Sequence, residues 1–254
     1  MFIKKGKGNL EAPAQIAAPR RKRGRPRGRT EQGSAARDQL YATAVKLIAA
    51  RGYQATTLRA IAGKAGVSVG LLYRYFPSKR AVILALYDEL SAEYAARAAR
   101  MRAGVWRDRF LFALRTSLEV LAAQRETLAA LVPVLVGDGT EGLFAPTTAF
   151  SRRRVQAVFH DAVRGATDAP NVDNGSALGR LLYVAHLAVI LWWLLDKSPR
   201  QRATTEMIAM LERALAIAAF ALRLEPARTF VRAADALVRD GLFGDTGPGA
   251  SAGA

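Results

Sequence analysis

Residues 56–79, TTLRAIAGKAGVSVGLLYRYFPSK, constrain the fold more than any other stretch of this chain. They read as helix, tight turn, helix. The first helix spans about 57–64, with Thr56 or Thr57 available to cap its exposed N–H groups. Leu58, Ile61 and Ala62 recur at helical spacing and form its apolar face. Gly66 then supplies a turn in which a Cβ would be strained. Val67 fills the gap between the helices, and Ser68 caps the second helix. That helix, 69–76, turns Leu72 and Phe76 inward at i, i+4, and Pro77 stops it. Tyr73, Arg74 and Tyr75 remain near the outer face. A short helix with small residues at its entry and aromatic and basic residues farther along suits a DNA major groove.

From about Ser34 to Leu90 the chain resembles the N-terminal region of the tetracycline-repressor (TetR) family of bacterial transcriptional regulators. The resemblance rests on the Arg51-Gly52-Tyr53 turn, Thr56-Thr57, Ile61-Ala62, Ala65-Gly66-Val67-Ser68, Gly70, Leu72-Tyr73-Arg74-Tyr75-Phe76 and Ser78-Lys79, all in order. It covers under a third of the chain; the remainder resembles the family in size and helical character. The resemblance implies that Arg59 reads a base edge, with guanine the expected target. It places Ser68, Val69, Gly70 and Leu71 in the groove and Tyr73, Tyr75 and Lys79 on phosphates, with Thr57 a further phosphate candidate and Arg74 open to either role. Val69 and Leu71 are apolar where many relatives carry polar residues, which points to sparse hydrogen-bond readout.

Composition agrees with an all-α chain. Hydrophobic residues make up 51% of 254 residues, enough for a sizeable core, with Ala and Leu dominant. Cysteine is absent and only His160 and His186 are present, so neither a thiolate site nor a His-rich metal motif is available. Glu119, Glu126, Asp161 and Glu206 show no paired-carboxylate spacing. No catalytic constellation, metal or cofactor is therefore expected, and the chain is read as a non-enzyme. The formal charge of +17 favours a polyanionic partner.

Much of that charge sits at the start. Residues 1–30 hold ten Lys or Arg and one acid, a net +9. With no hydrophobic period, residues 1–33 are expected to be a disordered basic arm in the absence of DNA. They are not a signal peptide, because the basic block follows rather than precedes the weakly apolar stretch. Within the arm, Arg20-Arg21-Lys22-Arg23-Gly24-Arg25-Pro26-Arg27 resembles an AT-hook. Gly24 would let the backbone sit deep in a narrow minor groove, Arg23 and Arg25 would lie along its floor, and Pro26 would keep the strand extended. A generic basic tail held only by phosphates is the alternative; both readings imply DNA contact.

The rest reads as a run of helices with no strand-like alternation, repeat or phosphate-binding loop. Helix one covers about 34–50, with Leu40, Ala44, Leu47 and Ile48 inward. A helix from 78 to about 102, with Val82, Leu86 and Leu90 inward, links a DNA-binding head (34–80) to a helical body (81–240). Further helices are expected at 106–124, at 126–136 (bent or broken at Pro133), and at 147–164, 178–195, 202–222 and 227–238. Loops fall at 137–142 and 169–175, and 241–254 is a frayed tail. Leu181 to Leu195, a run of fifteen residues apolar almost throughout, is short of the ~20 a membrane span needs. It reads as a buried helix or, with one face exposed, as a subunit interface partnered by 202–222. The family resemblance adds weight to dimerisation there through a four-helix bundle. Arg152-Arg153-Arg154 reads as a solvated face, and His186 as a hydrogen-bonded core histidine. Trp106, Phe110, Phe144 and Tyr183, together with Phe112, Phe150, Phe159, Trp192 and Trp193, could line a cavity or simply fill the core. The last five are taken as the candidate effector pocket.

Together these features point to a homodimeric, ligand-responsive DNA-binding regulator, most simply a repressor. It would bind a palindromic operator in double-stranded DNA and respond to an apolar or aromatic small molecule. The expected location is bacterial cytoplasm, on the nucleoid and without membrane contact. The rival is an architectural nucleoid protein that binds through its arm. An effector in the body would act by changing the separation of the two recognition helices.

Overall fold

Helix caps and glycine stops divide the chain much as its sequence suggests. A computed structural model describes Met1 and residues 31–137, 139–140 and 142–244. The AT-hook-like segment with Arg23, Gly24, Arg25 and Pro26, and most of the expected C-terminal tail, lie outside the described residues. The helices are α1 (Glu31–Arg51), α2 (Leu58–Ala65), α3 (Val69–Tyr75), α4 (Lys79–Ala98), α5 (Trp106–Ala122), α6 (Arg125–Gly137), α7 (Ala149–Arg164), α8 (Val172–Leu195), α9 (Arg202–Ala221) and α10 (Glu225–Val238). Single 3-10 turns at Pro146–Thr148 and Pro199–Gln201 lead into α7 and α9, and a π-helical turn at Arg239–Phe243 follows α10. Among the described residues there is no strand.

Two apolar cores organise these helices. The smaller joins Leu40, Ala44 and Leu47 of α1 to Ile61, Ala62, Leu72, Phe76 and Val82, and makes the head. The larger fills the body and includes Val45 and Ile48 from a neighbouring stripe of α1, Ile83 and Leu86 from α4, and Phe110, Leu131 and Phe159. Both α1 and α4 thus carry one stripe into each core, as the 3.6-residue period allows. The boundary between head and body is a pair of shared helices rather than a linker.

Two helices differ from the sequence expectation. α6 runs unbroken through Pro133, and the sharp change of direction, 105°, lies before it, between α5 and α6. α8 begins at Val172 rather than near 178. The Asn174-Gly175 pair reads as a turn, but Asn171 caps the helix by accepting from the Asn174 N–H at 3.1 Å. Asn174 is itself buried and accepts from Arg232 Nη1 at 3.2 Å. The tertiary contact overrides the local turn preference.

Among the described residues, Val172–Leu195 is the one helix long and apolar enough to cross a membrane. Its apolar character has another outlet here. Leu182, Tyr183, His186, Val189, Trp193 and Leu194 are buried, chiefly under α7 and α10. Arg180 clamps α10 in place by donating from Nε and Nη2 to the buried Asp235 carboxylate at 2.6 and 2.7 Å. Only Ala188, Trp192 and Leu195 of the 181–195 run are exposed. The larger uncovered apolar stripe lies on α9, where Met210, Ile217 and Phe220 recur at helical spacing, followed by Leu224.

Candidate nucleic-acid interface and body cavity

The head is built by local chemistry. Thr57 caps α2, its hydroxyl accepting from the Ala60 N–H at 3.1 Å. Thr56 is buried instead and donates to Gly52 O at 2.8 Å, which ties the α1–α2 turn together. At the other end of α2, Gly66 adopts φ 69° and ψ 27°. Its N–H reaches Gly63 O at 3.3 Å and that of Val67 reaches Ala62 O at 3.1 Å. This is a Schellman close, and it needs a residue at ease with positive φ. Ser68 then caps α3 by accepting from the Leu71 N–H at 3.2 Å.

α3 packs through Leu72, with Phe76 behind it, so its other face points outward. Exposed on that side are Ser68, Val69, Gly70, Tyr73 and Arg74; Leu71 and Tyr75 are half-buried. Thr57 and Arg59 of the α2 entry are exposed too. The structure therefore leaves the expected groove residues accessible on α3 and at the start of α2. Lys79 is different. Its ammonium donates to Tyr53 O at 2.6 Å and sits 4.0 Å from the centre of the Tyr53 ring. It pins the start of α4 to the α1–α2 turn, a structural contact the sequence pattern does not reveal.

The body holds a cavity of about 350 Å³. α4 contributes Tyr87, Leu90, Ser91 and Tyr94, at i, i+3, i+4 and i+7 of one helical face. Ser117 of α5, Leu128, Leu135 and Val136 of α6, Arg152 and Val155 of α7, and His186 and Leu187 of α8 complete much of the wall, with Leu143 and Phe144 closing it from the α6–α7 segment. His186 is hydrogen-bonded as expected, with Nε2 at 2.8 Å from Ser117 Oγ. Burial lowers its pKa to about 3, so the ring is neutral near pH 7. Burial also raises the Tyr94 and Tyr183 hydroxyls above their ordinary range.

None of the five aromatics taken from the sequence as the effector pocket lines this cavity. Phe112 and Phe150 lie on the surface, and the Phe150 ring carries the Arg154 guanidinium at 4.5 Å. Phe159 is wholly buried core, tilted against Phe110 and Tyr183. Trp192 is half exposed, and Trp193 is buried with its indole N–H donating to Gln201 Oε1 at 2.9 Å. Aromatic type alone does not separate lining from filling. Phe144 and Tyr183 of the wider aromatic set do line the cavity. The more useful signal was the polar tip of Tyr87 and Tyr94 on the inward stripe of α4, where aliphatic residues would serve packing alone.

Two helices connect the cavity to the head. α4 runs from Lys79 beside Tyr53 to Tyr94 in the wall. Arg154 of α7 braces it by donating to Asp88 O, Asp88 Oδ1 and Ser91 Oγ at 3.0, 2.8 and 2.7 Å. α6, another wall, packs directly on α1. Among the described residues no cluster of His, Cys, Asp or Glu could hold a metal ion.

Residues 40–86 match the family model for bacterial regulatory proteins of the tetR family. The chain is similar in structure to a tetR-family transcriptional regulator from Streptomyces coelicolor, with TM-score 0.55, 24% identity, and coverage of 84% of this chain and 94% of that one. A TetR transcriptional regulator from Nitrosomonas europaea gives TM-score 0.52 and 23% identity over 73% and 99% of the two chains. The fatty acid degradation regulator FadR from Bacillus halodurans gives 0.53 and 18% over 69% and 93%. At these identities the structural likeness speaks for the fold. No curated protein matches the chain.

Proposed function

The chain is a tetR-family DNA-binding transcriptional regulator, recognised by its head, and on that premise we propose that it is a homodimeric repressor released from a palindromic operator by a small molecule. The observation that carries this reading is the outward face of α3, a short helix capped by Ser68 and anchored through Leu72, which lies open beside exposed Arg59. In this reading Arg59 reads a guanine edge, Ser68, Val69, Gly70 and Leu71 enter the groove, and Thr57, Tyr73 and Tyr75 hold phosphates, with Arg74 on either. Lys79 contributes its charge from a fixed place on Tyr53. Residues 34–80 act as the head and 81–240 as the body, with α1 and α4 belonging to both.

Two copies would meet through α9, helped by the exposed edge of α8. Ile217 is 72% exposed and Phe220 67% exposed, a stripe that water does not favour and a second copy would cover. The effector would occupy the body cavity and act on the heads through α4 and α6. The basic arm would add affinity, through the minor groove or through phosphates alone.

Footprinting on the promoter DNA beside the protein's own gene tests the proposal. A defined inverted repeat should be protected. Broad protection of A·T-rich tracts would favour an architectural protein acting through the arm, and no protection at all would remove the DNA-binding reading.

A further inference from the structure

The body cavity has a chemistry that its size alone does not convey. Its wall is aliphatic or aromatic over most of its extent, with Leu90, Leu128, Leu187 and Ile190 typical. Among the polar side chains that interrupt it, Tyr94 and His186 stand out. The Tyr94 and His186 rings are stacked, 6.1 Å between centres and 6° from parallel. Both residues line the cavity and both are at least nine-tenths buried. Neither Tyr94 Oη nor His186 Nδ1 has a hydrogen-bond partner. Buried polar groups are nearly always paired, because an unmet donor or acceptor keeps its full desolvation penalty. Two such atoms, on neighbouring stacked rings that both line the cavity, mark where a ligand's polar group belongs.

The same surroundings decide the charge of that group. His186 Nε2 is held by Ser117, which leaves Nδ1 as the nitrogen for a ligand. Both rings are kept neutral by burial. The cation in the wall, Arg152, is turned to the α6–α7 segment, its Nη1 donating to Leu143 O and Ala145 O at 3.0 and 3.2 Å. An ion bound against Tyr94 and His186 would lose its hydration without meeting an opposite charge. A neutral oxygen would not: a carbonyl accepts from the Tyr94 hydroxyl and from Nδ1–H when Ser117 donates to Nε2, and an alcohol suits either tautomer.

We propose that the cavity takes an uncharged, mainly apolar molecule with a single ketone or alcohol oxygen, which hydrogen-bonds to Tyr94 Oη and His186 Nδ1. A volume of about 350 Å³ holds roughly a dozen non-hydrogen atoms at the ~30 Å³ that a water-sized group occupies in a liquid. This deepens the effector reading and rests on it for its regulatory meaning, though the binding chemistry can be measured alone.

The experiment uses the full chain and four probes of matched size: decan-2-one, decan-2-ol, decanoate and pentylbenzene. Binding is read by titration calorimetry, and release of operator DNA is read separately. The ketone and alcohol should bind at least tenfold more tightly than decanoate. Tyr94→Phe should lower ketone affinity about tenfold and leave pentylbenzene unchanged, which also shows that the variant cavity is intact. Tighter binding of decanoate than of the ketone would overturn the proposal. So would a ketone affinity indifferent to Tyr94→Phe, or no binding by any probe. If the ketone binds in this Tyr94-dependent way but DNA is not released, the ligand chemistry stands and the effector reading fails. If decanoate alone binds and releases DNA, the reverse holds.

Discussion

Single side chains carry the most specific claims. Arg59 is exposed at the start of α2, packs in neither core, and stands where a base-edge reader is expected. Arg59→Ala should therefore spare stability and weaken operator binding by about 1–3 kcal/mol, with relaxed preference at one base position per half-site. Competition binding against single-base operator variants checks this, and an unchanged preference would remove Arg59 from the interface. His186 makes a claim about pH. Its folded pKa, about 3, lies below the unfolded value of 6.5, so between those limits the unfolded chain binds the extra proton. Stability is then fully present above pH 6.5 and is lost as pH falls toward 3, by about 2 kcal/mol at pH 5 from this one group. His160, also lowered by burial, adds a loss of the same sign. Urea midpoints at pH 7 and pH 5 should fall together less steeply in His186→Gln than in the parent; equal falls would mean that His186 does not sense the change.

At the level of elements, two glycines of the helix-turn-helix separate folding from function. Gly66 sits at positive φ with nothing within 4 Å of an added Cβ, so Gly66→Ala should cost about 1–2 kcal/mol of stability by conformation alone. Gly70 is inside α3, with open space at its Cβ. Gly70→Ala should stabilise the free protein by about 0.5–1 kcal/mol, yet weaken DNA binding, because the methyl meets the groove. Thermal unfolding paired with operator titration distinguishes the two; if Gly70→Ala left DNA affinity untouched, α3 would not enter a groove in the expected pose. The head was legible in the sequence because caps, stops and inward residues there are local: Ser68, Gly66, Leu72 and Phe76 all take the places their spacing implies. The body was legible only as helices. Its cavity is assembled from five helices far apart in sequence, and nothing in the spacing tells Phe144, which lines it, from Phe159, which fills the core. The early start of α8 was hidden for the same reason, since the Asn174–Arg232 contact that favours it joins residues from different helices.

At the scale of the whole molecule, the proposed dimer makes two demands: a second copy to cover the exposed stripe of α9, and two heads held at a fixed separation. Replacing Ile217 and Phe220 together by Arg should yield a folded monomer with much weaker operator binding, whereas the parent should sediment as a dimer even at high salt, because an apolar contact is not screened. A parent that sediments as a monomer at micromolar concentration would contradict this. Such a dimer sets a geometric condition on its DNA, since two identical heads must reach two half-sites on the same face of the duplex. Selection of bound sequences from a random DNA library tests that condition most directly. The account predicts enrichment of an inverted repeat whose half-site centres lie one DNA turn apart, about 10–10.5 base pairs, or a whole multiple of it. Enrichment of A·T-rich sequence without two-fold symmetry, or no enrichment, would contradict it.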